Sequence, residues 1–151
     1  MTDSGANKSI IGGVSYPPRL RLRGYDSSDV PGGVTQEEIR QGIPIPVADE
    51  LLDKWSPENP RDVAIELTLE IGWDDDVGSD LFFTAIYTHD ALTRMRKTRK
   101  RKIDTHRCIV VHEYDWPKIK KSILDILSKC ERETYIDSIE QLKKYFRWEF
   151  E

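Results

Sequence analysis

The sequence predicts an α+β domain: an antiparallel sheet of about four strands with two C-terminal helices packed on one face. Three observations carry this. Strand-like runs recur along the chain, the clearest alternating apolar and polar residues with the period of a half-buried strand. Two amphipathic stretches at helical spacing, each behind a capping signal, follow one another at the C-terminal end. Strands do not alternate regularly with helices, which argues against a doubly wound parallel sheet.

The first strand is Arg19 to Tyr25, where Leu20 and Leu22 point one way and Arg19, Arg21 and Arg23 the other. Residues 1–18, polar and ending in Pro17-Pro18, are expected to form a flexible arm, and residues 19–151 a single domain. Thr35 and Glu38 fit a capping box, so a short helix starts there and ends by Gly42. Ile43-Pro44-Ile45-Pro46 reads as extended, because proline disfavours helix in the residue before it. Ala48 to Trp55 reads as a turn or two of helix.

Val63 to Ile71 is the clearest strand, with Val63, Ile65, Leu67, Leu69 and Ile71 on one face and Ala64, Glu66, Thr68 and Glu70 on the other. A turn over 72–79 leads into a second strand, Leu81 to Thr88, which is apolar on both faces at its start and suits a central position. His89 to Arg96 reads as a helical turn, and the basic stretch Arg94 to Lys102 as a solvated loop. A third strong strand is expected over Arg107 to Glu113.

Asp115 and Pro117 mark the start of the next helix, whose stripe is Ile119, Ile123, Ile126, Leu127 and Cys130. Thr134 starts the last helix, with Ile136, Ile139, Leu142 and Phe146 expected on its buried face. Phe146, Trp148 and Phe150 then read as a packed aromatic tail in a short strand, with Glu149 pointing the opposite way.

Composition narrows the classes of function. A mean hydropathy of -0.59 and the lack of a long apolar run exclude a membrane-spanning helix. The first residues show no apolar segment of a secretory signal, so a cytoplasmic protein with two reduced thiols, Cys108 and Cys130, is expected. The net charge of -4 conceals two blocks. From Val63 to Thr93 there is no Lys or Arg, while Glu66, Glu70, Asp74, Asp75, Asp76, Asp80 and Asp90 are acidic. From Arg94 to Arg107 the sign reverses, with Arg96, Arg99, Lys100 and Arg101 at its centre.

Catalytic chemistry finds little support in these residues, and no cofactor is implied. Asp74 to Asp80 resembles a calcium loop only loosely: its glycine falls one place early and no bidentate Glu closes the loop, so it reads as a solvated acidic turn. A metal-dependent enzyme built on that turn is the weakest reading. His89, His106 and His112 lack a ligand spacing, and there is neither a nucleophile elbow nor a Gly-rich phosphate loop. The basic stretch lacks interleaved aromatics in a net acidic chain, which argues against a dedicated nucleic-acid face.

Several segments together resemble one family. They are Tyr114-Asp115-Trp116, the cysteine closing the next helix, Glu131 to Thr134, and the ending Tyr145-Phe146-Arg147-Trp148-Glu149-Phe150-Glu151. Leu22 to Val30, Ser56-Pro57-Glu58-Asn59-Pro60 and the segment from Ile71-Gly72 to Phe83 agree with them. Over about Leu20 to Glu151 the chain is similar to the immunity protein 8 family of bacterial polymorphic toxin systems. Gly32 to Asp49 stands as an insertion, Ser28 replaces the usual proline, and Tyr135 stands where tryptophan is common.

The resemblance implies a non-catalytic inhibitor that binds a cognate toxin domain and occludes its active site. The charge blocks, and not the resemblance, supply the expected contact residues: Glu66, Glu70, Asp74, Asp75, Asp76 and Asp80, suited to a basic nuclease, with Arg96, Arg99, Lys100 and Arg101 as secondary candidates. The alternative is a regulatory or nucleic-acid-binding adaptor that uses the basic segment at 94–102.

Overall fold

The computed structural model describes residues 9–11, 14–16, 19–44, 51–74, 78–98 and 102–151. Two short strands, β1 (Ser9–Ile11) and β2 (Val14–Tyr16), pair antiparallel with each other. The main sheet is built from β3 (Leu20–Asp26), β4 (Ala64–Trp73), β5 (Ser79–Thr88), β6 (Ile109–Val111) and β7 (Arg147–Trp148). Its order is β3-β4-β5-β6, with β7 also against β5. The α+β class and the predominantly antiparallel sheet agree with the sequence, and β5 is central as its two apolar faces suggest.

The alternation in β4 works as its pattern requires. Ile65, Leu67, Leu69 and Ile71 are buried on one face, and Phe82 and Ile86 of β5 join them there. Against this face pack the helices α3 (Trp116–Cys130) and α4 (Tyr135–Leu142). Asp115 caps α3 by accepting from the Lys118 N–H, and Pro117 falls in the first turn, where a missing N–H costs nothing. Trp116, Ile119, Ile123, Leu127 and Cys130 form its buried stripe. Each such side chain contributes about 1.5–3 kcal/mol by leaving water.

Four expectations need correction. β6 runs parallel to β5 and spans only three residues, because α2 (His89–Thr98) carries the chain back along the sheet and makes one local strand–helix–strand unit. α2 runs two residues past the expected turn at His89 to Arg96, so Lys97 and Thr98 lie on the helix rather than in a loop; cations in a last helical turn, here Arg96 and Lys97, are favoured by the helix dipole. Leu92 and Met95 of α2, with Ile103, pack against Ala64 and Tyr87 on the sheet face opposite α3 and α4. Ile136 is 73% exposed, since α4 buries Ser138, Ile139 and Leu142 instead.

The fourth correction concerns the tail. Phe146 is fully buried and Trp148 packs at the core's margin, but Phe150 is 68% exposed, its ring centre 5.2 Å from that of Trp148 in an edge-to-face pair. The expected short strand is β7, which pairs Trp148 with Phe82 and Arg147 with Phe83.

The excursion between β3 and β4 holds α1 (Gln36–Arg40). Thr35 and Glu38 form both halves of the capping box, and Gly42 ends the turn at φ +94°, a conformation glycine adopts without a Cβ penalty. Around 51–55 there is a single turn, with the Trp55 N–H donating to the Leu51 carbonyl. The rest of the expected helix at 48–50, and Ile45-Pro46, lie outside the described residues.

Candidate functional site

Side-chain parity along β4 and β5 decides where the acidic residues go. Glu66, Thr68 and Glu70 alternate with the buried Ile65, Leu67, Leu69 and Ile71, so they face away from α3 and α4. Their partners across the ladder, Ala85, Phe83 and Leu81, share that second face, which lies open beyond the end where α2 packs on Ala64 and Tyr87. Glu66 is exposed, and its backbone N–H donates to Asp29 at 2.7 Å. Glu70 is half-buried and accepts from the Ser79 hydroxyl at 2.6 Å.

Asp74 begins the turn of the hairpin in the left-handed region, at φ +48°. Its carboxylate lies 4.0 Å from Arg21. Both partners are about half exposed, so this pair contributes little beyond orientation. Arg23 does more. Its guanidinium donates to the carbonyls of Gly78 and Asp74, each at 3.0 Å, and ties the two sides of the turn together. It lies across Gly72, where an added Cβ would stand 2.5 Å from the guanidinium carbon. Glycine at 72 is therefore what lets Arg23 cross the strand. The acidic window is free of cations in sequence, but β3 lays arginines along its end.

Asp80 has the opposite parity. It pairs with Ile71 and faces the helices, where its carboxylate accepts from the Trp148 indole N–H at 2.7 Å. Tyr135 of α4 stands beside it, with its hydroxyl donating to the Ile71 carbonyl at 3.2 Å. Burial first, and then the Asp80 charge, pushes the Tyr135 hydroxyl above its usual range. Glu149 is also a structural group. Its carboxylate accepts from the Leu81 N–H, its own N–H donates to the Leu81 carbonyl, and burial raises its carboxyl above the usual range.

Of the six acidic candidates, then, Glu66 and Glu70 share the open face, Asp74 stands at its end, and Asp80 sits on the other face. Asp75 and Asp76 lie outside the described residues. Of the secondary set, Arg96 is exposed on α2, and Arg99, Lys100 and Arg101 lie outside the described residues. Near Arg96, Arg94 is bound to Asp62 at 2.9 Å.

The open face also carries cations that sequence windows overlook. Arg107, at φ +65°, bonds both carboxylate oxygens of Glu151 at 2.8 and 2.9 Å and reaches the carbonyls of Lys143 and Phe146. Arg147 lies over the Phe83 ring at 4.6 Å. The alternation in Arg147-Trp148-Glu149 is the one sequence signal that could have placed Arg147 on this face.

Among the described residues, no group of three or more His, Cys, Asp or Glu side chains is arranged to hold a metal ion, and no helix is long and apolar enough to cross a membrane. His89 and His112 lie 6.1 Å apart, and His112 is in contact with Arg61 at 3.0 Å.

Fold and surface together define an α+β domain with one sheet face under α3 and α4 and a second, charged face that α2 covers at one end. Residues 44–151 match the family model Immunity protein 8, and the chain belongs to that family. The matched residues begin after β3 and α1. No curated protein and no solved structure matches the chain.

Proposed function

We propose that this chain is a non-catalytic immunity protein, acting in the cytoplasm of a toxin-producing bacterium, which binds a cognate toxin domain and occludes its active site. The observation that carries this is membership of the Immunity protein 8 family over 44–151. The contact surface is the open sheet face with its acidic strip: Glu66 and Glu70, then Asp74, Asp75 and Asp76 at the hairpin turn. A basic toxin, a nuclease above all, is the partner whose charge fits. An acidic strip speeds the encounter and repels wrong partners.

Asp80 belongs to this surface indirectly, by holding Trp148 behind the hairpin. Arg96, with Arg99, Lys100 and Arg101, forms a secondary contact for whatever acidic surface the toxin offers. The test is co-expression with the toxin domain encoded beside this chain. Growth should be restored by the wild type and lost when Glu66, Glu70, Asp74, Asp75 and Asp76 are neutralised together. Restoration by the neutralised chain would move the contact surface elsewhere. Failure of the wild type to restore growth or to bind would remove the pairing with that toxin.

A further inference from the structure

A cleft of about 200 Å³ opens beside the acidic strip, lined by Gln36, Glu66, Phe83, Arg107, Cys108 and Arg147 among others. Its two arginines are used differently. Arg107 is committed to the fold through Glu151 and two backbone carbonyls. Arg147 is exposed and directly opposite Phe83 in the β5–β7 ladder, with its guanidinium carbon 4.6 Å from the ring centre. Among the described residues no carboxylate lies within 4.0 Å of it and no acceptor takes its hydrogen bonds. Glu66 lines the same cleft yet makes no ion pair with it.

A guanidinium held over an aromatic ring is restrained, with its fork of N–H donors, before any partner arrives. That arrangement suits a carboxylate, which takes two parallel hydrogen bonds from such a fork. Prior fixation also reduces the side-chain freedom lost on binding. The geometry points to Arg147 as the seat of a carboxylate side chain of the toxin, an assignment that rests on the immunity reading above. The open face is then bipolar: it takes cations of the toxin over Glu66 and Glu70, and one acidic side chain at Arg147. A single carboxylate set among basic residues fits both halves. A polyanion such as nucleic acid would meet the repulsion of Glu66 in the same cleft. Opposite charges side by side fix the register of docking, since sliding the toxin along the face brings like charges together.

The experiment measures the affinity of the full chain for the toxin domain encoded beside it, with thermal melts as a check on folding. R147Q should weaken binding by at least about tenfold with an unchanged melting temperature. R147K should recover only part of the loss, because an ammonium keeps the charge and lacks the fork. K121Q, on the exposed side of α3, should bind like the wild type. In the R147E background, one Asp or Glu to Lys change in the toxin should restore affinity. R147Q within about twofold of the wild type, or K121Q weakened as much as R147Q, would overturn the assignment while leaving the immunity reading intact. A wild-type chain that does not bind that toxin would remove the pairing itself, a result distinct from the first.

Discussion

The two faces of one strand pair, β4 and β5, hold side chains of similar charge in opposite roles. On the face under α3 and α4, Asp80 accepts from the Trp148 indole and sits among Tyr135 and the last strand. On the open face, Glu66 is exposed and its carboxylate makes no hydrogen bond or ion pair among the described residues. Both came from one run of acidic residues with no cation between them. Parity along the strand separates them, because adjacent side chains point to opposite faces of a sheet. An acidic window in sequence is therefore two populations in space: one that holds the fold and one that is available to a partner.

The largest effects are expected on the helix side of the sheet. Trp148→Ala removes a large ring that packs on the core, receives the Lys143 ammonium at 5.6 Å and donates to Asp80. A loss of about 3 kcal/mol is expected in urea unfolding, at the low end for large aromatics because the ring is only partly buried. Toxin affinity, measured well below the unfolding midpoint, should fall only as the folded fraction falls. A Trp148→Ala protein of wild-type stability that fails to bind would instead put the tryptophan in the contact surface. Asp80→Ala should cost about 1–2 kcal/mol, because it leaves the indole N–H without its acceptor. A double-mutant cycle with Trp148→Phe should show that most of this cost is shared; independent, additive costs would separate Asp80 from Trp148.

Much of the fold was legible because single positions carried two signals at once. Val63 to Ile71 alternates and is β-branched or leucine on its inner face, so strand, face and core could be read together. Asp115 with Pro117, and Thr35 with Glu38, marked helix starts by the hydrogen bonds that those side chains make. What was not legible depends on residues far apart in sequence. The parallel β6 needs α2 as a crossover, yet Leu92 and Met95 at helical spacing marked only a turn and not a return along the sheet. Ile136 looked buried by its apolar character alone, although Ser138 lies inward, accepting from the Arg132 N–H at 2.8 Å and donating to the Thr134 carbonyl at 2.9 Å. For the candidate surface, Glu66 and Glu70 could be placed by alternation. The counter-charges Arg21 and Arg23, and the cleft around Arg147, arise from strand pairing across 50 residues or more and leave no local mark.

The open face has one buried acid of its own, and it sharpens the contrast by pH. Asp26 is fully buried, accepts from the Val34 N–H at 2.8 Å and leaves its other oxygen without a partner among the described residues. Burial raises its carboxyl above the ordinary range, against the opposing pull of that N–H. A carboxyl whose pKa is higher folded than unfolded binds its proton more tightly in the folded state. Its ionised form therefore costs stability at neutral pH, and the cost disappears as pH falls through the raised pKa toward the unfolded one. Asp26→Asn should be more stable than the wild type near pH 7, and the difference should shrink as pH falls and vanish only below the unfolded carboxyl's range, by about pH 3. A constant difference across that range would show that the carboxyl is not the titrating group.

The smallest expected effect on stability is the one that matters most for the comparison. Glu66→Gln keeps the size of an exposed side chain whose carboxylate holds nothing in the fold, and the hydrogen bond to Asp29 is made by the Glu66 backbone. Unfolding free energy should therefore change by less than about 0.5 kcal/mol. The same substitution removes one charge from the acidic strip, so the association rate with a basic toxin should fall, and fall less at high salt where exposed charges are screened. Glu149→Gln supplies the counterpart. It also deletes one acidic charge, but from a carboxyl that accepts from Leu81 at the edge of β5, so its effect should appear in unfolding and not in the salt dependence of association. If both substitutions changed association alike and stability alike, strand parity would not be what separates structural acids from available ones in this protein.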